Sequence, residues 1–200
     1  MKRLIATAAL AGLIASPASA QSYQYDPNEG PYLGAGLGYS TLDNNTLDRL
    51  DSAGANTDDS DTAYKLFAGY QFNPNFAVEA GYVDFGDFSA SAAVPGYSAK
   101  AEVSADGFTA ALIGKLPIQN GFSVHGKLGM IAWDGNYKES DSDGWSYSES
   151  ADGSDPFYGI GAEYEVDRIM MRAEYERYDL SDSGEDFEID LISASLGYRF

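Results

Sequence analysis

The chain contains no cysteine, so a disulfide framework, a thiolate metal site and a cysteine-linked lipid anchor are all excluded. Stability has to come from packing and backbone pairing alone. Histidine is nearly as scarce: His125 is the only one, which leaves little for chemistry built on imidazole. Basic residues number 12 against 31 acidic ones in 200 residues, and that balance argues against nucleic acid as a partner. Long hydrophobic runs are also missing after residue 20; nothing there approaches the roughly 20 apolar residues of a spanning helix. A chain of this composition that lies in a membrane does so as strands.

What is present begins with "MKRLIATAALAGLIASPASA". Lys2 and Arg3 precede an apolar run from Leu4 to Ile14, and Ala18-Ser19-Ala20 has the small-x-small spacing of a cleavage site, so residues 1–20 read as an export signal. Residues 21–200 then form one domain, and a hydrophobic content of 44% excludes a disordered one. Loss of the signal removes two basic residues and no acidic one.

The mature chain repeats one pattern, large apolar residues alternating with small or polar ones. It recurs from Tyr32 to Tyr39, Ala63 to Phe72, Phe76 to Phe85, Gly107 to Ile118, Phe122 to Trp133, Phe157 to Val166, Ile169 to Tyr178 and Ile189 to Phe200. Such alternation is the mark of two-faced strands, and most of these have the 9 to 11 residues that a tilted strand needs to cross a bilayer. Asn73-Pro74-Asn75, Gln119-Asn120-Gly121 and Asp167-Arg168 read as tight hairpin turns. The connections 40–62, 86–106, 134–156 and 179–188 are long and polar. Short and long connections alternate, which places every long loop at one end of an all-β, eight-stranded, antiparallel up-and-down barrel. Around Asp84 and Phe85 the facing is ambiguous, and a bulge is expected there.

The two residue sets decide which face is inside. One is apolar, with its aromatics near strand ends. The other interleaves Lys65, Glu79, Lys115, Lys127, Glu163, Arg172, Glu174, Glu176 and Arg199 with glycines such as Gly34, Gly36, Gly69, Gly159 and Gly161. An eight-stranded barrel has an interior only just filled by side chains, and small positions there make room for long ones. A Lys or Arg facing lipid at mid-depth costs about 2–4 kcal/mol. The charged set therefore points inward, and the end aromatics form interfacial girdles.

The stretches "YLGAGLGYS", "LFAGYQFNPNFAVEAGYVDFG", "GKLPIQNGFSVHGKLGMIAW", "YGIGAEYEVDRIMMRAEYERYD" and the closing "LISASLGYRF" together resemble the OmpA-like family of bacterial outer-membrane barrels, over the chain from about Pro31. The resemblance implies a Gram-negative outer-membrane location among lipid and lipopolysaccharide. It also implies that Phe200 is the assembly signal read by the barrel-assembly machinery. By the same resemblance, Glu79, Lys115, Glu163 and Arg172 match an interior ion-pair cluster that blocks and gates a narrow lumen; exchange of Glu163 from Arg172 to Lys115 would be the opening step, and a static network that merely fills the barrel is the alternative. Two departures stand out: Gly36 occupies a first-strand position where the family commonly has lysine, and no periplasmic peptidoglycan-binding domain is expected within these 200 residues.

The four long loops hold 21 acidic and 3 basic residues. A solvated face explains this, and divalent cations bridging the loops to lipopolysaccharide phosphates are the sharper expectation. In "ESDSDGWSYSES", Glu139, Asp141, Asp143 and Gly144 stand where a calcium loop has its first, third, fifth and sixth positions, but the twelfth is Ser150 instead of glutamate. Tyr137, Trp145 and Tyr147 would be the handles of a surface adhesin or receptor. For an enzyme, His125 lies at the short-turn end with Ser123 on its face and no carboxylate in its own segment to orient it, so no catalytic residue, resident metal or cofactor is expected. The function expected is structural, with a narrow gated ion path as a further capacity and adhesion through the acidic loops as the alternative.

Overall fold

The computed structural model describes residues 29–43, 56–58, 60–94, 97–141, 146–182 and 185–200; the expected export signal lies outside these. Eight strands form the wall: β1 Gly30–Asp43, β2 Ser60–Asn73, β3 Phe76–Val94, β4 Tyr97–Gln119, β5 Phe122–Asp141, β6 Ser146–Val166, β7 Ile169–Asp182 and β8 Glu185–Arg199. Each pairs antiparallel with the next, and β1 closes on β8 from Tyr32↔Arg199 to Asp43↔Glu188. A short strand, Asn56–Asp58, adds to β3 at Ser89–Ser91. Closure matters because a bilayer offers no partner for unpaired backbone groups.

The three tight turns form as the sequence predicts. Asn73 Oδ1 accepts the N–H groups of Asn75 and Phe76 at 2.8 and 3.0 Å, the side chain standing in for a backbone turn. Asn120 and Gly121 both adopt positive φ, 54° and 80°, as a two-residue hairpin loop requires.

Three of the expected long loops are instead mostly strand, 179–188 among them through the pairs Asp179↔Glu188 to Asp182↔Glu185. β3 and β4 pair up to Val94↔Tyr97, β4 and β5 to Ala99↔Asp141, and β5 and β6 to Ser140↔Ser146. Ser, Gly and Asp suggested loops because hydrophobic alternation fades there. Above a membrane both faces of a sheet are wet, so the backbone ladder persists without that alternation. The β6–β7 pairing begins only at Phe157↔Tyr178, and β3 to β6 therefore rise together as a tall sheet beside the shorter β7, β8 and β1.

The expected irregularity falls between Asp84 and Asp87, where the β3–β4 register shifts and Gly86 takes φ +82°. Asp61 of β2 secures it by accepting the N–H of Asp87 at 2.8 Å and that of Thr62 at 2.7 Å. These donors hold the Asp61 carboxyl below the usual range. A lowered carboxyl stabilises the fold above its unfolded pKa and loses that contribution as pH falls through its folded one. Asp61→Ala should therefore cost about 1 kcal/mol at neutral pH, with the gap to wild type closing in acid when urea unfolding is followed against pH.

Outward positions carry Leu33, Leu37, Leu66, Leu112, Leu128, Ile160, Ile192 and Leu196, all largely exposed. Tyr39, Tyr64, Tyr82, Phe108 and Tyr158 ring one end of this belt and Tyr70, Phe72, Phe76, Phe122, Tyr164, Tyr198 and Phe200 the other. The inward face is a continuous core in tiers.

Candidate functional site

All nine charged residues assigned to the inside are buried there. They form one network, larger than the four-residue cluster that the resemblance implies. Arg172 on β7 reaches Glu163 on β6 through Nε at 2.6 Å and Glu79 on β3 through Nη1 at 2.6 Å. Lys115 on β4 donates to the other oxygen of Glu163 at 2.5 Å and to Gln71 at 3.0 Å. Glu163 thus holds both cations at once. Lys127 on β5 lies 2.9 Å from Glu79, Glu174 and Glu176, and Lys65 on β2 lies 2.7 Å from Glu174 and Glu176.

A Cβ on Gly36 would meet Ser195 Oγ and Lys65 Cγ, so Lys65 of β2 leans across the bare first strand.

Below this network, toward the short turns, Tyr32 donates to Glu79 at 3.1 Å. The Arg172 guanidinium lies 5.1 and 5.0 Å from the Tyr32 and Phe67 ring centres, within cation–π range. Arg199 closes that end, bonded to Glu165 at 2.7 Å and Gln71 at 2.9 Å. Glu165 was not singled out in the sequence, although its odd number puts it on the inward face of β6. With it, Lys65, Lys115, Lys127, Arg172 and Arg199 face Glu79, Glu163, Glu165, Glu174 and Glu176 in balance, as burial of charge demands.

Above the network the lumen is mainly apolar, with one carboxylate, Asp155, accepting from Trp133 Nε1 at 2.6 Å and from Ser181 Oγ at 2.9 Å, which the sequence reading did not anticipate. Leu42, Ala63, Val83, Phe85, Phe88, Ala105, Ile131, Trp133, Phe157, Tyr178, Leu180, Ile189 and Leu191 pack into one buried cluster. Trp133, Phe157 and Tyr178 sit at the ends of the predicted strands, where aromatics were read as girdle residues. Their register places them inside.

His125 finds its carboxylate outside its own segment: Glu174 Oε1, 3.0 Å from Nε2. The partner is on β7, reached across Gly161 of β6, whose neighbours in the ladder are His125 and Glu174. Nδ1 is buried without a hydrogen-bond partner among the described residues, so the histidine is not the middle of a serine–histidine–acid relay.

Outside, Asp84, Asp106, Asp134 and Asp152 are successive cross-strand partners on β3, β4, β5 and β6. Strands about 4.8 Å apart align these four carboxylates in a row immediately above Tyr82 and Phe108. Tyr82 relieves one end by donating to Asp106 at 3.0 Å. Like charges directly opposite are destabilising, so Asp134→Asn should raise stability by about 0.2–1 kcal/mol, measured by urea unfolding. The gain should shrink near 1 M salt, where the Debye length falls to about 3 Å. Among the described residues no group of three acidic or histidine side chains is placed to hold a metal ion. Glu139 pairs with Tyr147 and Asn136 with Ser150 across the β5–β6 hairpin, an extended geometry unlike a calcium loop; Asp143, Gly144 and Trp145 lie outside the described residues.

Phe200 docks rather than frays. Its N–H donates to Pro31 at 3.0 Å, and its ring meets Tyr198 edge-on with centres 5.2 Å apart.

Comparison with known proteins matches residues 6–200 to the outer membrane protein beta-barrel domain. No relative among curated proteins matches. Among solved structures, the chain is similar to Ail, the attachment invasion locus protein of Yersinia pestis, with 21% identity over 86% of this chain and 99% of that one and a TM-score of 0.58. It is also similar to Neisserial surface protein A, with 13% identity, 88% and 100% coverage and a TM-score of 0.59. OprG from Pseudomonas aeruginosa gives 16%, 86% and 97%, and 0.50. At these identities the likeness is one of fold.

Proposed function

This chain belongs to the outer membrane protein beta-barrel domain family, and from that premise we propose that its main role is structural: a barrel with a sealed lumen that anchors a tall acidic sheet at the cell surface. The observation that carries this is the continuous filling of the interior by the ion-pair network and the apolar cluster above it. Among the described residues the side chains of both tiers are buried, and His125 is enclosed with Glu174, so the proposal includes neither a standing pore nor catalysis. Phe200 faces outward and is tied to Pro31.

A strain lacking this chain should gain sensitivity to detergent and large antibiotics, and a barrel with the β3–β4 and β5–β6 hairpins shortened should restore resistance. No change in sensitivity, with cell attachment lost when the hairpins are shortened, would support the adhesin reading instead. Ail has been solved with the heparin analogue sucrose octasulfate. The acidic hairpins of this chain are ill suited to a polyanion, so an adhesin built on them would take a cationic partner.

The aspartate row favours a second element of this reading. It stands just above the aromatic belt, at the level of lipopolysaccharide phosphates, where direct contact would be repulsive. Divalent cations shared between carboxylates and phosphates are the proposed bridge. Chelation should then lower the melting temperature in lipopolysaccharide membranes and leave it unchanged in phosphatidylcholine; Asp106→Asn with Asp134→Asn should remove the difference.

A further inference from the structure

The expected gate of this lumen is its ion-pair cluster, yet the cluster fills only one tier. Directly above it, two residues along β6 and β7 from the Gly159↔Glu176 pair, Phe157 and Tyr178 face each other across the ladder. Their rings stack with centres 4.8 Å apart and an interplanar angle of 14°, and Phe85 meets the Tyr178 ring edge-on, also at 4.8 Å. Every strand contributes to this layer: Leu42 from β1, Ala63 from β2, Phe85 and Phe88 from β3, Ala105 from β4, Ile131 and Trp133 from β5, Phe157 from β6, Tyr178 from β7 and Ile189 from β8. A layer fed by all eight strands closes the whole cross-section. Ser40 enters it satisfied, its hydroxyl bonded to the carbonyl of Phe85, and the bulge at Gly86 lets Phe85 and Phe88 both turn inward.

Resting on the sealed-lumen reading, we infer that the apolar layer around Phe85, Phe157 and Tyr178 is a second barrier in series with the ion pairs, so that ions pass only when both are breached. An ion freed of its obstruction at Arg172 still faces a mainly apolar constriction, whose one buried carboxylate, Asp155, is already engaged by Trp133 Nε1 and by Ser181, and hydrophobic constrictions of this kind gate other channels. Rearranging Glu163 between Lys115 and Arg172 leaves that constriction untouched, so partner exchange alone opens nothing. Two barriers in series also make the effects of variants strongly non-additive.

The test is potassium efflux from proteoliposomes holding the full mature barrel. Wild type, Arg172→Ala, Phe157→Ser and the double variant would be compared, with Phe85→Ser as an independent way into the layer. Heat-modifiable gel mobility confirms folding, and only folded proteins are scored. Tight vesicles for each single variant and rapid potassium loss for either double variant support the inference. Rapid loss from Arg172→Ala alone would make the ion pairs the deciding barrier and overturn it, as would folded double variants that stay tight. Efflux from wild type would instead count against the sealed-lumen reading itself.

Discussion

Replacing Glu163 by alanine is expected to cost the folded barrel about 3–5 kcal/mol, because it strips a shared counter-ion from buried Lys115 and Arg172. Glu163 is only 1% exposed, and its two oxygens are divided between the two cations. Arg172 keeps Glu79, but Lys115 is left with the neutral amide of Gln71. Guanidinium unfolding from lipid vesicles reads the loss as a lower midpoint at unchanged slope. Replacing Lys115 by methionine in the same protein should recover much of it, since removing both members of a buried pair is far less damaging than orphaning one. A Glu163→Ala barrel within about 1 kcal/mol of wild type would mean that water screens the network, and that the lumen is not the dry interior described.

The second large effect comes from adding a single carbon. A Cβ at Gly161 would lie 2.7 Å from Cε1 and Nε2 of His125 and 2.8 Å from the carbonyl oxygen of Ala173. The imidazole can retreat only by giving up Glu174, and the carbonyl belongs to the β6–β7 ladder. Gly161→Ala should therefore destabilise by about 1–3 kcal/mol, the usual cost of overpacking. Gly114 is the control. It points outward opposite Gly126, and a Cβ there meets nothing within 4 Å. Gly114→Ala should leave stability unchanged or raise it by up to about 1 kcal/mol through reduced freedom of the unfolded chain. The same unfolding titration on both variants checks the contrast, and equal losses would contradict the assignment of the two faces.

That assignment was legible from the sequence because strand geometry is strictly two-periodic. Lys65, Glu79 and Glu163 share parity within their strands with the glycines beside them, and lipid penalises the opposite choice for these and for Arg172. The bulge near Asp84 showed as a break in the same rhythm. Partners across the lumen did not show. His125 and Glu174 are 49 residues apart and meet only because the intervening Gly161 carries no side chain. The apolar layer was missed for a different reason. Trp133, Phe157 and Tyr178 end their apolar stretches, and aromatics at strand ends fit a girdle as well as a plug until parity is counted through them. Hairpin length was illegible too, since a sheet wetted on both faces leaves no hydrophobic period to read.

The most direct test of the closed lumen is a single-channel recording of the refolded wild-type protein in a planar bilayer. The geometry of the two tiers predicts a flat baseline at every holding potential. Discrete, reproducible current steps that scale with protein insertion would contradict it.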